Sequence, residues 1–146
     1  MRQRIADARQ LLENVEETRS QVARLRRSVR LLEEKCTGNI TRYGRRGTPE
    51  GVGPEELWTK LCDRREKLTR QEGLLRDQEQ VLAQWIDQLP RPRWRMVMRC
   101  RYLDGMSMTE IADELTRSTG REFSIHQVYR LHSAALSAAA ELWVQS

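Results

Sequence analysis

The strongest constraint on this fold is a heptad repeat that occurs twice. Across residues 1–36 one apolar row holds Met1, Ala8, Val15, Val22, Val29 and Cys36, each seven residues from the last. A second row, three positions on, holds Leu11, Leu25 and Leu32, with Arg4 and Thr18 as its polar members. Steps of three and four place both rows on one stripe of an α-helix, the seam of a coiled coil. No glycine or proline interrupts the span. Farther on, Leu61, Leu68, Leu75, Leu82 and Leu89 again recur every seventh residue, with Trp58 and Ile86 three residues before two of them.

Between the repeats, residues 37–53 hold five of the eight glycines together with Pro49, and so read as a loop. Arg42, Arg45 and Arg46 stand there beside Tyr43. Pro54 suits the first position of a second helix, and Glu55 and Glu56 suit the positive end of its dipole. Pro90 and Pro92 must end that helix. Each helix is then about 36 residues, roughly 54 Å at the α-helical rise.

Two equal helices joined by one loop predict an antiparallel hairpin over residues 1–90. One register pairs Val29 with Leu61, Val22 with Leu68, Val15 with Leu75, Ala8 with Leu82 and Met1 with Leu89. It sets Thr18 against Glu72, and Gly73 beside that layer should weaken the helix by about 1 kcal/mol. Ile5, Leu12, Leu74, Val81 and Trp85 lie off the seam. They offer a second face, either for the C-terminal domain or for a second copy in a homodimer. A parallel zipper is a poorer reading, because no basic region precedes the leucine row.

Composition agrees with long solvated helices. Of 146 residues, 32% are charged and 5% aromatic, and one Phe and four Pro leave little for an all-β fold. Mean hydropathy is −0.74. Lys plus Arg exceed Asp plus Glu, 26 to 21, for a net charge of +5, compatible with nucleic acid. Cys36, Cys62 and Cys100 are scattered and odd in number, so neither a disulfide frame nor a zinc site is expected. No apolar run reaches about 18 residues and no leader precedes the polar start, so a cytoplasmic protein without a membrane span is expected. No phosphate loop, nucleophile motif or metal-spaced cluster occurs, so neither catalysis nor a cofactor is expected.

Residues 91–146 carry the most chemical pattern. A helix over 93–103 should bury Trp94, Val97, Met98, Cys100 and Leu103. Arg91, Arg93, Arg95, Arg99 and Arg101 fall within eleven residues with no acid among them, a cluster suited to phosphate contact. Arg121 is a sixth candidate. Asp104-Gly105 marks a tight turn. Ser107-x-x-Glu110 and Ser124-x-x-Gln127 are capping boxes that open two further helices. The first should bury Ile111, Ala112 and Leu115, run on to Ser118 and stop at Gly120, with Phe123 filling the core. The second should bury Val128, Leu131, Ala135 and Leu136. Its other face shows His126, Tyr129, Arg130 and Ser133, spaced i, i+3, i+4, i+7. Arg can take guanine bidentately, and Tyr and Ser contact phosphate or a thymine methyl. Ile125 and Gln127, near the helix start, complete the base-contact candidates. His126 and His132 are six residues apart, a poor spacing for metal ligands, and read as solvated.

These motifs resemble the helix-turn-helix of sigma-70 factors, their region 4. The whole chain is similar in layout to the phage and prophage transcription regulators of the ArpU type. The resemblance rests on Arg101-Tyr102-Leu103, Glu110-Ile111-Ala112, and Arg130-Leu131-His132 with Ala135-Leu136. It implies a regulator of phage late genes in a bacterial host, associated with the nucleoid, that binds double-stranded DNA and contacts RNA polymerase. By position it implies base contact at Ile125, His126, Tyr129 and Arg130. Residues 116–123 form a longer connection than that family's. No segment resembles the promoter-melting region of a complete sigma factor, so the chain is not expected to start transcription as a sole specificity factor. Two other readings remain: a DNA-packaging accessory protein of the terminase type, and a protein-interaction adaptor. Residues 91–146 hold eight basic and six acidic side chains, a charge low enough to keep the adaptor open.

Overall fold

The structure, a computed structural model, describes residues 2–42 and 53–143. Among these it is all-α: α1 (Arg2–Arg42), α2 (Pro54–Asp87), α3 (Pro92–Tyr102), α4 (Met108–Thr119) and α5 (Ile125–Trp143). None of these helices is long and apolar enough to cross a membrane. The chain divides into two compact units. The hairpin unit is Glu17–Arg76, and the terminal unit joins Met1–Glu16 to Asp77–Ser146. Helices α1 and α2 each run through both, so the divisions fall inside these helices and not at residue 90.

In the hairpin unit Val29, Leu32, Leu57 and Leu61 form one buried cluster, with Cys36 and Leu68 packed on it. Val29 and Leu61, partners in the expected register, share that cluster. Arg26 Nη2 meets Glu72 Oε2 at 2.9 Å, and Arg65 Nη2 meets Glu33 Oε1 at 3.0 Å. Numbers rise along α1 as they fall along α2, so the helices are antiparallel. Both pairs are solvent-facing and fix register more than they stabilise, each contributing under about 1 kcal/mol.

Two details differ from the sequence expectation. Trp58 is 56% exposed, and Leu57, at 8%, takes the seam position, since it lies one helical turn before Leu61 on the same face. Helix α1 does not stop at Cys36 but continues through Gly38 to Arg42. One helical glycine costs about 1 kcal/mol, too little to end a helix already about ten turns long. Thr18 is buried, and Glu72 gives its carboxylate to Arg26. Tyr43, Gly44, Arg45, Arg46, Gly47, Pro49 and Gly51, and the Met1–Leu89 layer through Met1, lie outside the described residues.

In the terminal unit Ala8 and Leu12 of α1 and Leu82, Ile86 and Leu89 at the end of α2 are all buried. Leu12 thus belongs to the interior, whereas Val81 remains exposed. Two short-range bonds close α2 ahead of Pro90: Gln88 N–H to Trp85 O and Leu89 N–H to Ile86 O. Pro92 opens α3 with its φ already helical. Helices α3, α4 and α5 then share a core of Val97, Cys100, Ile111, Ala112, Leu115 and Val128. Burial beside Asp104 and Glu114 pushes the Cys100 thiol up, which keeps it an inert protonated filler.

Candidate nucleic-acid interface

Helix α5 is positioned from both ends of the loop before it. Helix α4 starts at a complete capping box: Glu110 N–H donates to Ser107 Oγ, and Ser107 N–H to Glu110 Oε1. It ends at Gly120, whose φ of 73° is the left-handed value a helix stop needs. Two threonines tie the loop that follows. Thr116 Oγ1 donates to Ala112 O at 2.8 Å and accepts from Phe123 N–H at 3.0 Å. Thr119 Oγ1 donates to Leu115 O and accepts from Arg121 N–H. Phe123 packs on the three-helix core, as the sequence predicts. Residues 120–124 are therefore a short, pinned connection.

A second capping box opens α5. Gln127 N–H donates to Ser124 Oγ at 3.2 Å, and Ser124 N–H donates to Gln127 Oε1 at 2.8 Å. Val128, Ala135 and Leu136 are buried, with Leu131 packed on the core. That anchors one side of the helix and leaves the other free. His126, Arg130 and Ser133 are exposed, Tyr129 is 52% exposed and Ile125 43%. Ile125 and Tyr129, four residues apart, share this outer face with the polar side chains. Gln127 differs from its neighbours, because its carbonyl oxygen is held by the cap and is not free to read a base.

The arginine cluster separates into two groups. Arg95 Nη1 donates to Leu89 O at 2.5 Å, capping the end of α2. Arg99 pairs with Asp87 at 2.5 Å. Arg101 donates to Met106 O and reaches Glu16 at 4.0 Å. These three guanidinium groups thus already have acceptors within the terminal unit, which makes them poorer phosphate contacts than the other three. Their partners lie elsewhere in the chain, which no count of local charge could reveal. Arg91 lies over the Trp94 ring and Arg93 over Phe123, both at 5.3 Å, and both side chains are exposed. Arg121 is exposed. Arg93, Phe123, Gln127, Arg130 and Leu131 line a shallow cleft of about 270 Å³ beside the start of α5.

One pair escaped the sequence reading. His132 is not solvated: its Nε2 lies 2.5 Å from Tyr102 Oη, and both side chains are largely enclosed. Burial pushes the Tyr102 phenol up to about 12, with Glu16 adding to the shift. Burial, with Arg101 and Arg9 nearby, pushes the His132 imidazole below its usual value. The phenol thus shares a hydrogen bond with a neutral imidazole, joining α3 to α5. The only sequence signal was a Tyr and a His, each at a helical position adjoining a core residue.

Comparison of the chain with family models, with curated proteins and with solved structures found no match.

Proposed function

We propose that this chain is a sequence-specific DNA-binding transcription regulator, with α5 as the helix that enters the major groove. The observation that carries the reading is the exposed flank of His126, Tyr129, Arg130 and Ser133 on a helix whose opposite side is core and whose N-terminus is pinned by a capping box. A rigid helix start with a polar outer face is what reading base edges needs. Arg91, Arg93 and Arg121 supply the flanking phosphate contacts. The resemblance to sigma-70 region 4 and to ArpU-type regulators supports the same reading, and adds RNA polymerase as the protein partner and phage late genes as the setting.

Selection of bound duplexes from random sequence tests it directly. A shared motif is expected among the selected duplexes, and Arg130→Ala should cost about 1–3 kcal/mol at one base position. Recovery of no motif would overturn sequence-specific binding. A second reading has one observation in its favour: the terminal unit is close to neutral, with eleven basic and twelve acidic side chains. In that reading the α5 flank docks on protein, and capture of RNA polymerase in the absence of DNA affinity would replace the first reading with it.

A further inference from the structure

The positive charge of this protein does not lie where its helix-turn-helix pattern is. Residues 17–76 hold fifteen basic and nine acidic side chains, a net +6, whereas the terminal unit carries −1. The whole chain's excess of cations thus belongs to the hairpin unit. Within it, α1 and α2 border a cleft of about 410 Å³. Gln21, Arg24 and Ser28 stand on one side, and Arg64, Lys67 and Gln71 on the other. Both sets follow steps of three and four, so each is one face of its helix.

Three cations line this cleft and no acid does. Of the carboxylates on these two helices, Glu72 is taken by Arg26 and Glu33 by Arg65. Among the described residues, Arg24, Arg64 and Lys67 stand in no ion pair. Arg64 donates to Ser28 Oγ, which holds its guanidinium across the gap between the helices. Converging Arg, Lys and hydroxyl donors without an acceptor group to repel it suit a tetrahedral oxyanion.

We propose that the hairpin unit binds the phosphate backbone of nucleic acid without regard to sequence, and that the Arg24–Arg64–Lys67 cleft is its principal phosphate seat. Nucleic acid fits better than an acidic protein segment because the +6 excess is spread over a long unit. A duplex presents a charge every 1.7 Å or so along its axis, which such a spread can match. The site is separate from the α5 flank and does not depend on what that flank contacts.

The test is fluorescence anisotropy of the full chain on a duplex of arbitrary sequence, across a range of salt concentrations. The variant R24Q/R64Q/K67Q changes exposed side chains and should keep its helical circular dichroism. It should lose about tenfold or more in affinity, and its log–log salt slope should become shallower by about 2 to 3, at 0.9 per phosphate. R26Q/R65Q, which removes cations that already have acid partners, should change both quantities much less, and R24K/R64K should retain most of the affinity. Equal loss in the two glutamine variants would overturn the cleft in favour of general charge. Unchanged affinity and slope in the triple variant would overturn the site altogether. An oligoglutamate peptide that outcompetes the duplex would assign the cleft to acidic protein instead. Loss of base preference in Arg130→Ala with this affinity intact concerns α5 alone, so the two proposals fail separately.

Discussion

At the scale of single residues, the hydrogen bond between Tyr102 and His132 makes a pH prediction with a definite sign. Folding holds the imidazole neutral and its affinity for protons below the usual value of 6.5. As pH falls through about 6.5 the unfolded chain binds a proton at this position first, so unfolding becomes easier from there downward. The loss levels off once the folded imidazole also protonates. Arg101 and Arg9 oppose that proton, while Glu16 and Glu13 act on the neighbouring phenol of Tyr102. Urea denaturation at pH 7.5 and at pH 5.5 should show lower stability at the acid value. His132→Gln, which keeps a hydrogen-bonding partner for the phenol, should remove part of that difference. An equal pH dependence in the variant would remove His132 from the account.

At the scale of helices, start and stop signals set most of the design, and two substitutions measure them. Ser124→Ala deletes the acceptor for Gln127 N–H and should cost about 1 kcal/mol, read as a lower urea midpoint at unchanged slope. Gly73→Ala should stabilise by up to about 1 kcal/mol, because a Cβ there meets nothing within 4 Å and the helix loses its most flexible residue. The helices themselves were legible because their signals are local. Pro54 and Glu55 start α2, Pro90 limits it, two serines cap α4 and α5, and Gly120 ends α4. What failed was long-range. Whether Leu57 or Trp58 fills the seam depends on the facing helix, and the end of α1 depends on how long the helix before Gly38 already is. The candidate site divides the same way. The exposed flank of α5 followed from its periodicity, but the use of Gln127 as a cap competed with its use as a reader. Arg95, Arg99 and Arg101 were invisible as internal ties because Leu89, Asp87 and Glu16 come to them through tertiary structure.

At the scale of the whole molecule, charge and surface pattern are divided between two units, and the two proposals together constrain how salt should act. Counterion release scales with the number of phosphates neutralised, while base recognition by hydrogen bonds releases few ions. If the hairpin unit supplies most phosphate contacts and α5 supplies discrimination, affinity for a selected duplex and for a scrambled one should fall in parallel as salt rises. Their ratio should then stay nearly constant between about 50 and 200 mM salt, although each affinity drops by orders of magnitude for a protein making several phosphate contacts. Anisotropy titrations of the full chain on both duplexes measure this directly. A markedly steeper line for the selected duplex would place additional phosphate contacts in the specific complex, with Arg91, Arg93 and Arg121 the first to substitute. Arg91, Arg93 and Arg121 are proposed to touch backbone and not bases, so the parallel lines are a quantitative demand on them: they must neutralise as many phosphates on the scrambled duplex as on the selected one.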